Sequence, residues 1–340
     1  MPEGHTVHRL ARTFDSLYAG QVLRVSSPQG RFADGAAVLT GRRLVASEAW
    51  GKQLFLGFEG DLWLRTHLGL YGAWTFAGAP DAPEVAHAIG APRKRIGERE
   101  TNPVVGPVET QASAGSTDGA WAAPEPRGQV RVRLLGDHAV ADLTGPTACE
   151  VITTEEKKAV EARLGPDPIR DDGDVGAFVA RVGRSRVTIG QQLMDQAVVA
   201  GVGNIYRAEA LFRAGVDPLR PGRDVSAETV RAIWDDLVTL MRDGTAQGAI
   251  VTTRPADRPT GKAGRERGYD PDEGSDENKP VVDGRRRTRQ NTDGLWDAVP
   301  SEEAFYVYHR DGLPCRVCGT PVLTKELAGR NLFWCPTCQT

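Results

Sequence analysis

Four of the five cysteines lie in one C-terminal segment, as two C-x2-C pairs separated by sixteen residues: Cys315 with Cys318, and Cys335 with Cys338. Such pairs can close a tetrahedral Zn2+ site with four thiolates and no open position. Between them, Pro321–Thr324 and Leu332–Trp334 predict a β-hairpin. A segment of about forty residues has too small a core to fold unaided, so the metal would organise it. Two disulfides are the alternative; we expect thiols instead, because no secretory signal precedes the chain and a cytosol keeps cysteines reduced.

The charge of the chain is nearly balanced but unevenly distributed. Its 340 residues, enough for two domains and a small third, include 42 basic and 45 acidic side chains. Arginines concentrate between residues 181 and 223, whereas acidic groups concentrate between residues 150 and 174. A basic face that binds nucleic acid is therefore compatible with the net charge of -3. No run of eighteen apolar residues occurs, so we expect no membrane span.

The first part of the chain predicts a β-rich domain with a leading helix. Apolar residues recur at helical spacing over residues 6–18, and Gly20 follows as a stop. Residues 77–127 lose this periodicity, are rich in Ala, Gly, Pro and charge, and predict a disordered insertion. Strand-like stretches flank the insertion: Val22–Val25, Arg43–Ala46, Gln53–Phe58, Leu62–His67, Ala73–Phe76, Gln129–Leu135 and Ala139–Leu143.

The second part predicts helices. Thr153 and Glu156 have the spacing of a capping box, and Gly165-Pro166 ends the helix that they begin. Residues 255–300 form a second low-complexity stretch. Further helices are expected at 174–183, 189–200, 204–214 and 226–243. The expected domains are 2–145 (β-sandwich), 146–254 (helical), 255–300 (insertion) and 301–340 (zinc finger).

The residues at the amino terminus have the chemical properties of a nucleophile and a proton donor. Methionine is normally removed before a small residue such as Pro2, and removal exposes a secondary amine. An α-amine has a pKa near 8, so an appreciable fraction is neutral at pH 7 and can attack an electrophilic sugar carbon. Glu3 lies beside it and can transfer protons. Met-Pro starts are common, so an ordinary terminus remains the alternative on this evidence alone.

Four motifs in a fixed order give the chain its resemblance to a known family. They are Pro2–His5, Gly51-Lys52, Gly201–Tyr206 and the segment Gly329–Gln339 that contains the second cysteine pair. In this order they resemble the formamidopyrimidine-DNA glycosylase / endonuclease VIII family of base-excision repair enzymes. The resemblance leaves out only the two low-complexity stretches, and Pro-Glu-Gly and Leu70-Tyr71 favour the endonuclease VIII branch.

The resemblance implies an α+β fold and a bifunctional chemistry. The fold would be an N-terminal β-sandwich with flanking helices, then a helical domain with a helix–two-turn–helix and a β-hairpin zinc finger. Pro2 would attack C1′ of a flipped-out nucleotide and release the base, and Glu3 would protonate the opening sugar. The Schiff base would then undergo β,δ-elimination. Lys52 would contact the lesion phosphate and assist elimination; an exposed strand-end lysine is the alternative.

The resemblance also implies residues that hold DNA. Asn204, at a predicted helix start, suits a phosphate oxygen; a plain N-cap is the alternative. Arg330 on the zinc hairpin would bind phosphates that flank the flipped nucleotide, and an exposed turn arginine is the alternative. Leu70 and Tyr71 would fill the hole left by the flipped base; a loop that packs back on the sandwich is the alternative.

These features together predict a glycosylase and AP lyase that acts on oxidised pyrimidines in double-stranded DNA. Oxidised purines are the alternative substrates, and a catalytically silent damaged-DNA-binding zinc protein is the alternative function. We expect one structural Zn2+, no redox or nucleotide cofactor, a monomer, and a cytoplasmic, nucleoid-associated location.

Overall fold

The structure, a computed structural model, describes residues 2–91, 121–258, 299–300 and 302–340. The helices are α1 Gly4–Tyr18, α2 Ala33–Leu39, α3 Thr154–Glu161, α4 Val175–Gly183, α5 Ile189–Gln192, α6 Asn204–Arg213 and α7 Ala227–Gln247, with 3-10 turns at Gly222–Asp224 and Pro255–Asp257. The strands are β1 Val22–Ser26, β2 Arg42–Trp50, β3 Gln53–Phe58, β4 Leu62–His67, β5 Ala73–Gly78, β6 Ala88–Gly90, β7 Val130–Leu135, β8 Ala139–Thr144, β9 Ala148–Thr153, β10 Leu323–Leu327 and β11 Arg330–Trp334.

Nine antiparallel strands form the N-terminal part, in the order β6-β5-β8-β7-β1-β2-β3-β4-β9. The junction in the middle is short, because β1 and β2 share only the pairs Val22↔Arg43 and Leu23↔Arg42. Apolar side chains from both sides of this junction belong to one buried cluster, which α1 also joins. The run therefore folds as two layers over one core, and the predicted sandwich with its leading helix is confirmed.

Two strands lie where the sequence predicted none. Residues 77–127 were expected to be disordered, but β5 runs to Gly78 and Ala88–Gly90 pairs with it as β6. This part of the prediction is wrong. Ile89 is buried in the core and anchors the strand there, although the residues around it have the composition of a disordered segment. Residues 92–120 of the predicted insertion lie outside the described residues. Strand β9 pairs with β4, so the sheet continues past the expected boundary at 145 to Thr153.

The helical part follows the predicted pattern, except that α3 ends at Glu161, before the expected stop at Gly165-Pro166, and a second helix is shorter than expected. Thr153 and Glu156 form the expected reciprocal capping box at the start of α3. The helix expected at 189–200 stops after Gln192, and turns carry the chain to α6. In these turns the Asp195 carboxylate accepts the Ala197 N–H at 2.9 Å, a local bond that competes with helix continuation. The result is the helix–two-turn–helix arrangement.

The zinc hairpin packs on the helical core. β10 and β11 pair through a two-residue turn whose residues, Ala328 and Gly329, both have positive φ, as in a type I′ turn. Cys315, Cys335 and Phe333 belong to the same buried cluster as α6 and α7. Of the predicted 255–300 insertion, residues 259–298 lie outside the described residues. None of the described helices is both long and apolar enough to cross a bilayer.

Candidate active site

Three glycines bring distant segments of the chain into contact. The Gly4 N–H donates to the Gly201 carbonyl at 2.8 Å. A Cβ on Gly4 would lie 2.8 Å from the Gly201 Cα, and one on Gly51 would lie 2.9 Å from the Gly201 nitrogen. This close approach needs residues without side chains. The close approach of these backbones brings together Pro2-Glu3, the Gly51-Lys52 turn and the start of α6. A single site built from these motifs requires this arrangement.

Glu3 caps a helix that begins two hundred residues later. Its fully buried carboxylate accepts the N–H of Gly203 at 2.9 Å and that of Ile205 at 2.8 Å. These are unpaired donors of the first turn of α6, where the helix dipole favours negative charge. Burial raises the pKa of Glu3, while Lys52 and the two N–H groups act in the opposite direction. The carboxyl group is thus a proton carrier held in one orientation.

Lys52 lies on the other side of the same loop. Its Nζ donates to the Val202 carbonyl at 2.8 Å, which also accepts from the Gln196 amide at 2.9 Å. Burial lowers the pKa of Lys52, opposed by Glu3 and reinforced by Arg330. The exposed strand-end alternative therefore does not describe this lysine, since Lys52 is partly buried, its ammonium group is hydrogen-bonded to Val202, and its charge interacts with Glu3.

Pro2 lies beside these groups, since it is buried and directly precedes Glu3 in the chain. His5 is buried against Tyr206 in an edge-to-face contact of 5.5 Å, and burial lowers its pKa to about 3. A neutral His5 therefore packs α1 on the helical part, which agrees with a structural role.

Asn204 and the zinc hairpin meet at the start of α6. Gly203 occupies the N-cap position, so the alternative that Asn204 is the N-cap is wrong. Asn204 is the first residue of the helix, and its Nδ2 donates to the Asn331 carbonyl at 3.0 Å. Arg330 precedes Asn331 at the exposed turn of the hairpin and contributes to the charge around Lys52.

The loop after β4 presents the two predicted apolar side chains to solvent. Leu70 is 37% exposed and Tyr71 is 82% exposed, so Tyr71 does not pack back on the sandwich. His67 shapes this loop: its Nδ1 accepts the Gly69 N–H at 3.1 Å and lies 2.8 Å from the Thr147 hydroxyl. An exposed aromatic ring on a hydrogen-bonded loop can enter a base stack at little cost to the fold.

Sequence reasoning missed Asp167. Its buried carboxylate accepts the Gly51 N–H at 2.7 Å and lies 2.8 Å from His8 Nε2, so it fixes the turn that carries Lys52. Trp50 on the same turn donates to the Gly165 carbonyl at 2.9 Å. Because these partners are more than a hundred residues apart, no local spacing indicated them.

The four predicted cysteines converge as expected. Their Sγ atoms all lie within 4.8 Å of one another, with Cys315 and Cys338 at 3.9 Å and Cys318 and Cys335 at 3.4 Å. Zn–S bonds of about 2.3 Å in a tetrahedron place the sulfurs about 3.8 Å apart, so the cluster fits one zinc ion. Four thiolates fill its coordination, which makes the site structural.

Comparison with known proteins identifies the family to which the chain is similar. Residues 1–95 match the formamidopyrimidine-DNA glycosylase N-terminal domain, residues 164–255 its H2TH domain, and residues 312–340 the zinc finger found in FPG and IleRS. The chain is 41% identical over 340 residues to Endonuclease 8 1 of Mycobacterium tuberculosis and of Mycobacterium bovis, with both chains covered completely. The chain belongs to the formamidopyrimidine-DNA glycosylase / endonuclease VIII family.

A more distant family member is the formamidopyrimidine-DNA glycosylase of Thermus thermophilus, 26% identical over 343 residues, which cover 100% of this chain and 98% of the relative. The fold also matches the Lactococcus lactis Fpg complexes with N7-benzyl-Fapy-dG DNA and with abasic-site DNA. Each has a TM-score of 0.65 at 18% identity, and at least 99% of both chains is covered. At this identity the structural match concerns the fold alone.

Membership of the formamidopyrimidine-DNA glycosylase / endonuclease VIII family establishes the class of activity. The chain is a DNA glycosylase of base excision repair with AP lyase activity, and it carries the family's zinc finger with its cluster of four cysteines.

Proposed function

We propose that this enzyme excises oxidised pyrimidines from duplex DNA and then cleaves the abasic site through a Schiff base on Pro2. The observation that carries the proposal is the meeting of the buried Glu3 carboxyl group, the Lys52 ammonium group and the buried Pro2 at the start of α6. The pyrimidine preference is supported by the 41% identity to relatives named Endonuclease 8 1, against 26% to a formamidopyrimidine-DNA glycosylase.

The first half of the reaction releases the base. After removal of Met1, the neutral Pro2 nitrogen attacks C1′, the C1′–N bond to the base breaks, and the departing base gains the proton that the Pro2 nitrogen loses. Glu3 delivers a proton to the ring oxygen as the sugar opens, and its raised pKa favours the protonated form that this step needs. The products are the free base and an iminium ion between Pro2 and C1′.

The second half breaks the strand. The iminium ion makes the C2′ proton acidic; its loss expels the 3′ phosphate, and a further elimination expels the 5′ phosphate. Lys52 binds the lesion phosphate and assists these eliminations. Hydrolysis of the remaining iminium ion regenerates Pro2. The chain's own groups supply this chemistry, the zinc ion maintains the hairpin, and no redox or nucleotide cofactor is required.

DNA is held by groups that surround this centre. Arg330 offers a planar donor fork to the phosphates beside the flipped nucleotide, and Asn204 offers its amide N–H to the same backbone. Tyr71 and Leu70 enter the gap that the flipped nucleotide leaves, and the 82% exposure of Tyr71 permits this.

The test is borohydride trapping on a panel of lesion duplexes, with single-turnover kinetics. We expect a covalent adduct that maps to Pro2, loss of Met1 by mass spectrometry, faster excision of thymine glycol than of 8-oxoguanine opposite cytosine, and loss of trapping in Pro2→Gly. Faster excision of 8-oxoguanine would favour oxidised purines as substrates. Binding without any adduct would favour a silent damage-binding protein, and an adduct on a lysine would refute the nucleophile.

We further infer that the enzyme acts as a monomer at the nucleoid, in the cytoplasm. The groups assigned to catalysis and binding all come from one chain, and genomic DNA is the substrate. We also infer that the β-sandwich and helical domains are separate units joined near Thr153, followed by the zinc finger. Size-exclusion chromatography with light scattering tests the monomer.

A further inference from the structure

Arg207 is a buried cation that the proposed chemistry does not use. It lies one turn after Asn204 in α6, and its residue is 0% exposed. Its hydrogen bonds go to neutral oxygens: the Asn204 side-chain amide, and the carbonyls of Gly190 at 3.5 Å, Leu327 at 3.4 Å and Asn331 at 3.3 Å. Burying a guanidinium group whose hydrogen bonds all go to neutral oxygens is costly even with the Glu3 carboxylate near enough to favour its charge, so its position calls for a role.

Two of these acceptors flank the turn that carries Arg330. Leu327 pairs with Arg330 across the hairpin, and Asn331 follows Arg330 directly. By donating to the carbonyls of both Leu327 and Asn331, Arg207 holds the two ends of the turn against α6. The turn itself is short and exposed. The hydrogen bonds from Arg207 to the Leu327 and Asn331 carbonyls therefore restrict the position of the Arg330 backbone.

The third acceptor sets the orientation of Asn204. An arginine has donors only, so the Asn204 oxygen must face Arg207 and its Nδ2 must face the hairpin. One Nδ2 hydrogen goes to the Asn331 carbonyl at 3.0 Å, and the Asn204 side chain also hydrogen-bonds the Tyr308 side chain, so a DNA oxygen would take the place of one of these partners. The same guanidinium group thus fixes both groups that we assign to the DNA backbone.

We propose that Arg207 is a positioning residue that sets Asn204 and Arg330 relative to each other for one DNA phosphate. This inference rests on the proposed roles of Asn204 and Arg330. It predicts that the planar fork matters and not only the charge, because a lysine at position 207 can reach one acceptor but cannot span Asn204 and both carbonyls.

The experiment compares Arg207→Lys with Arg213→Lys. Arg213 lies further along α6 and uses its fork on Asp236, at 2.7 and 2.6 Å, away from the hairpin. Binding to a duplex with a stable abasic-site analogue is measured against salt concentration, together with zinc content and melting temperature. Because this duplex needs no covalent chemistry, the result is independent of whether trapping on Pro2 succeeds.

We expect Arg207→Lys to keep its zinc, to bind at least tenfold more weakly, and to show a salt slope shallower by about 0.9, the value for one lost phosphate contact. Arg213→Lys should change neither affinity nor slope. Adding Arg330→Ala to Arg207→Lys should weaken binding less than twofold further, since the contact is already lost.

An unchanged slope in Arg207→Lys, losses that multiply with Arg330→Ala, or an equal loss in Arg213→Lys would each overturn the proposal. If Arg207→Lys fails to fold, Arg207→Gln, which retains one donor group for Asn204 and the hairpin, is assayed in the same way. Loss of zinc in both variants would show that Arg207 only stabilises the zinc hairpin, and this would refute its role in positioning.

Discussion

Replacing Gly203 by alanine tests whether the position of Glu3 controls the reaction. Gly203 has extended backbone angles, φ -125 and ψ -160, so alanine introduces no backbone strain. The new Cβ would lie 2.5 Å from the Glu3 Cδ, whereas carbon atoms normally approach to about 3.5 Å. The carboxyl group must therefore move by about 1 Å, and a displacement of this size costs on the order of 10²-fold in rate. This corresponds to about 2.7 kcal/mol of transition-state stabilisation.

The assay is single-turnover release of an oxidised pyrimidine at saturating enzyme, with the melting temperature measured in parallel. Gly183→Ala is the matched control, because Gly183 at the end of α4 has nothing within 4 Å of its Cβ position. We expect Gly183→Ala to react like the parent and Gly203→Ala to react about 100-fold more slowly while remaining folded. A folded Gly203→Ala enzyme within threefold of the parent rate would refute the argument that this carboxyl group must be held in place.

Three further predictions concern pH, DNA insertion and zinc. The folded pKa of His5, about 3, lies below its unfolded value near 6.5, so the unfolded state binds the extra proton and stability falls as pH drops through this window. Between pH 7.5 and pH 5 the free energy of unfolding should fall by about 2 kcal/mol because of His5. His5→Gln should remove this contribution, which denaturant unfolding at the two pH values measures. Tyr71→Ala should change the free energy of unfolding by less than about 0.5 kcal/mol but weaken lesion-duplex binding by about 1–3 kcal/mol, and equal effects on both would contradict insertion. Chelation of zinc should abolish duplex binding while near-UV circular dichroism of the N-terminal sandwich persists; binding by metal-free protein would contradict the role of the hairpin.

Periodicity located strands such as β1 and β7 because their residues alternate between buried and less buried positions. In β7 every second residue is buried, and the sequence pattern located it to within one residue. The strand β6 was missed because it has three residues, too few for a period to be recognised, and it lies in an Ala- and Pro-rich setting. The strand β9 was missed because Gly145-Pro146 has the composition of a linker, although the chain makes only a short turn there before it pairs with β4.

The site was predictable to the extent that its residues lie in motifs. Pro2, Glu3 and Lys52 were identified from short patterns, and the structure brings Glu3 and Lys52 to one loop. The capping of α6 by Glu3 could not be predicted, because it joins residues about two hundred positions apart. Asp167 and Arg207 were missed for the same reason: their function depends on partners across a domain contact, and neither belongs to a local pattern with chemical meaning.

The start of α6 has a consequence for how the enzyme is made. Glu3 is synthesised at the beginning, yet the N–H groups that orient it arrive with Gly203 and Ile205, and Arg330 follows only near residue 330. At about 5–20 residues per second, a ribosome needs roughly 20–60 s between the first of these groups and the last. If Glu3 and Arg330 have the roles proposed above, we expect a nascent chain that has not yet completed the zinc hairpin, or a proteolytic fragment without it, to be unable to cleave DNA.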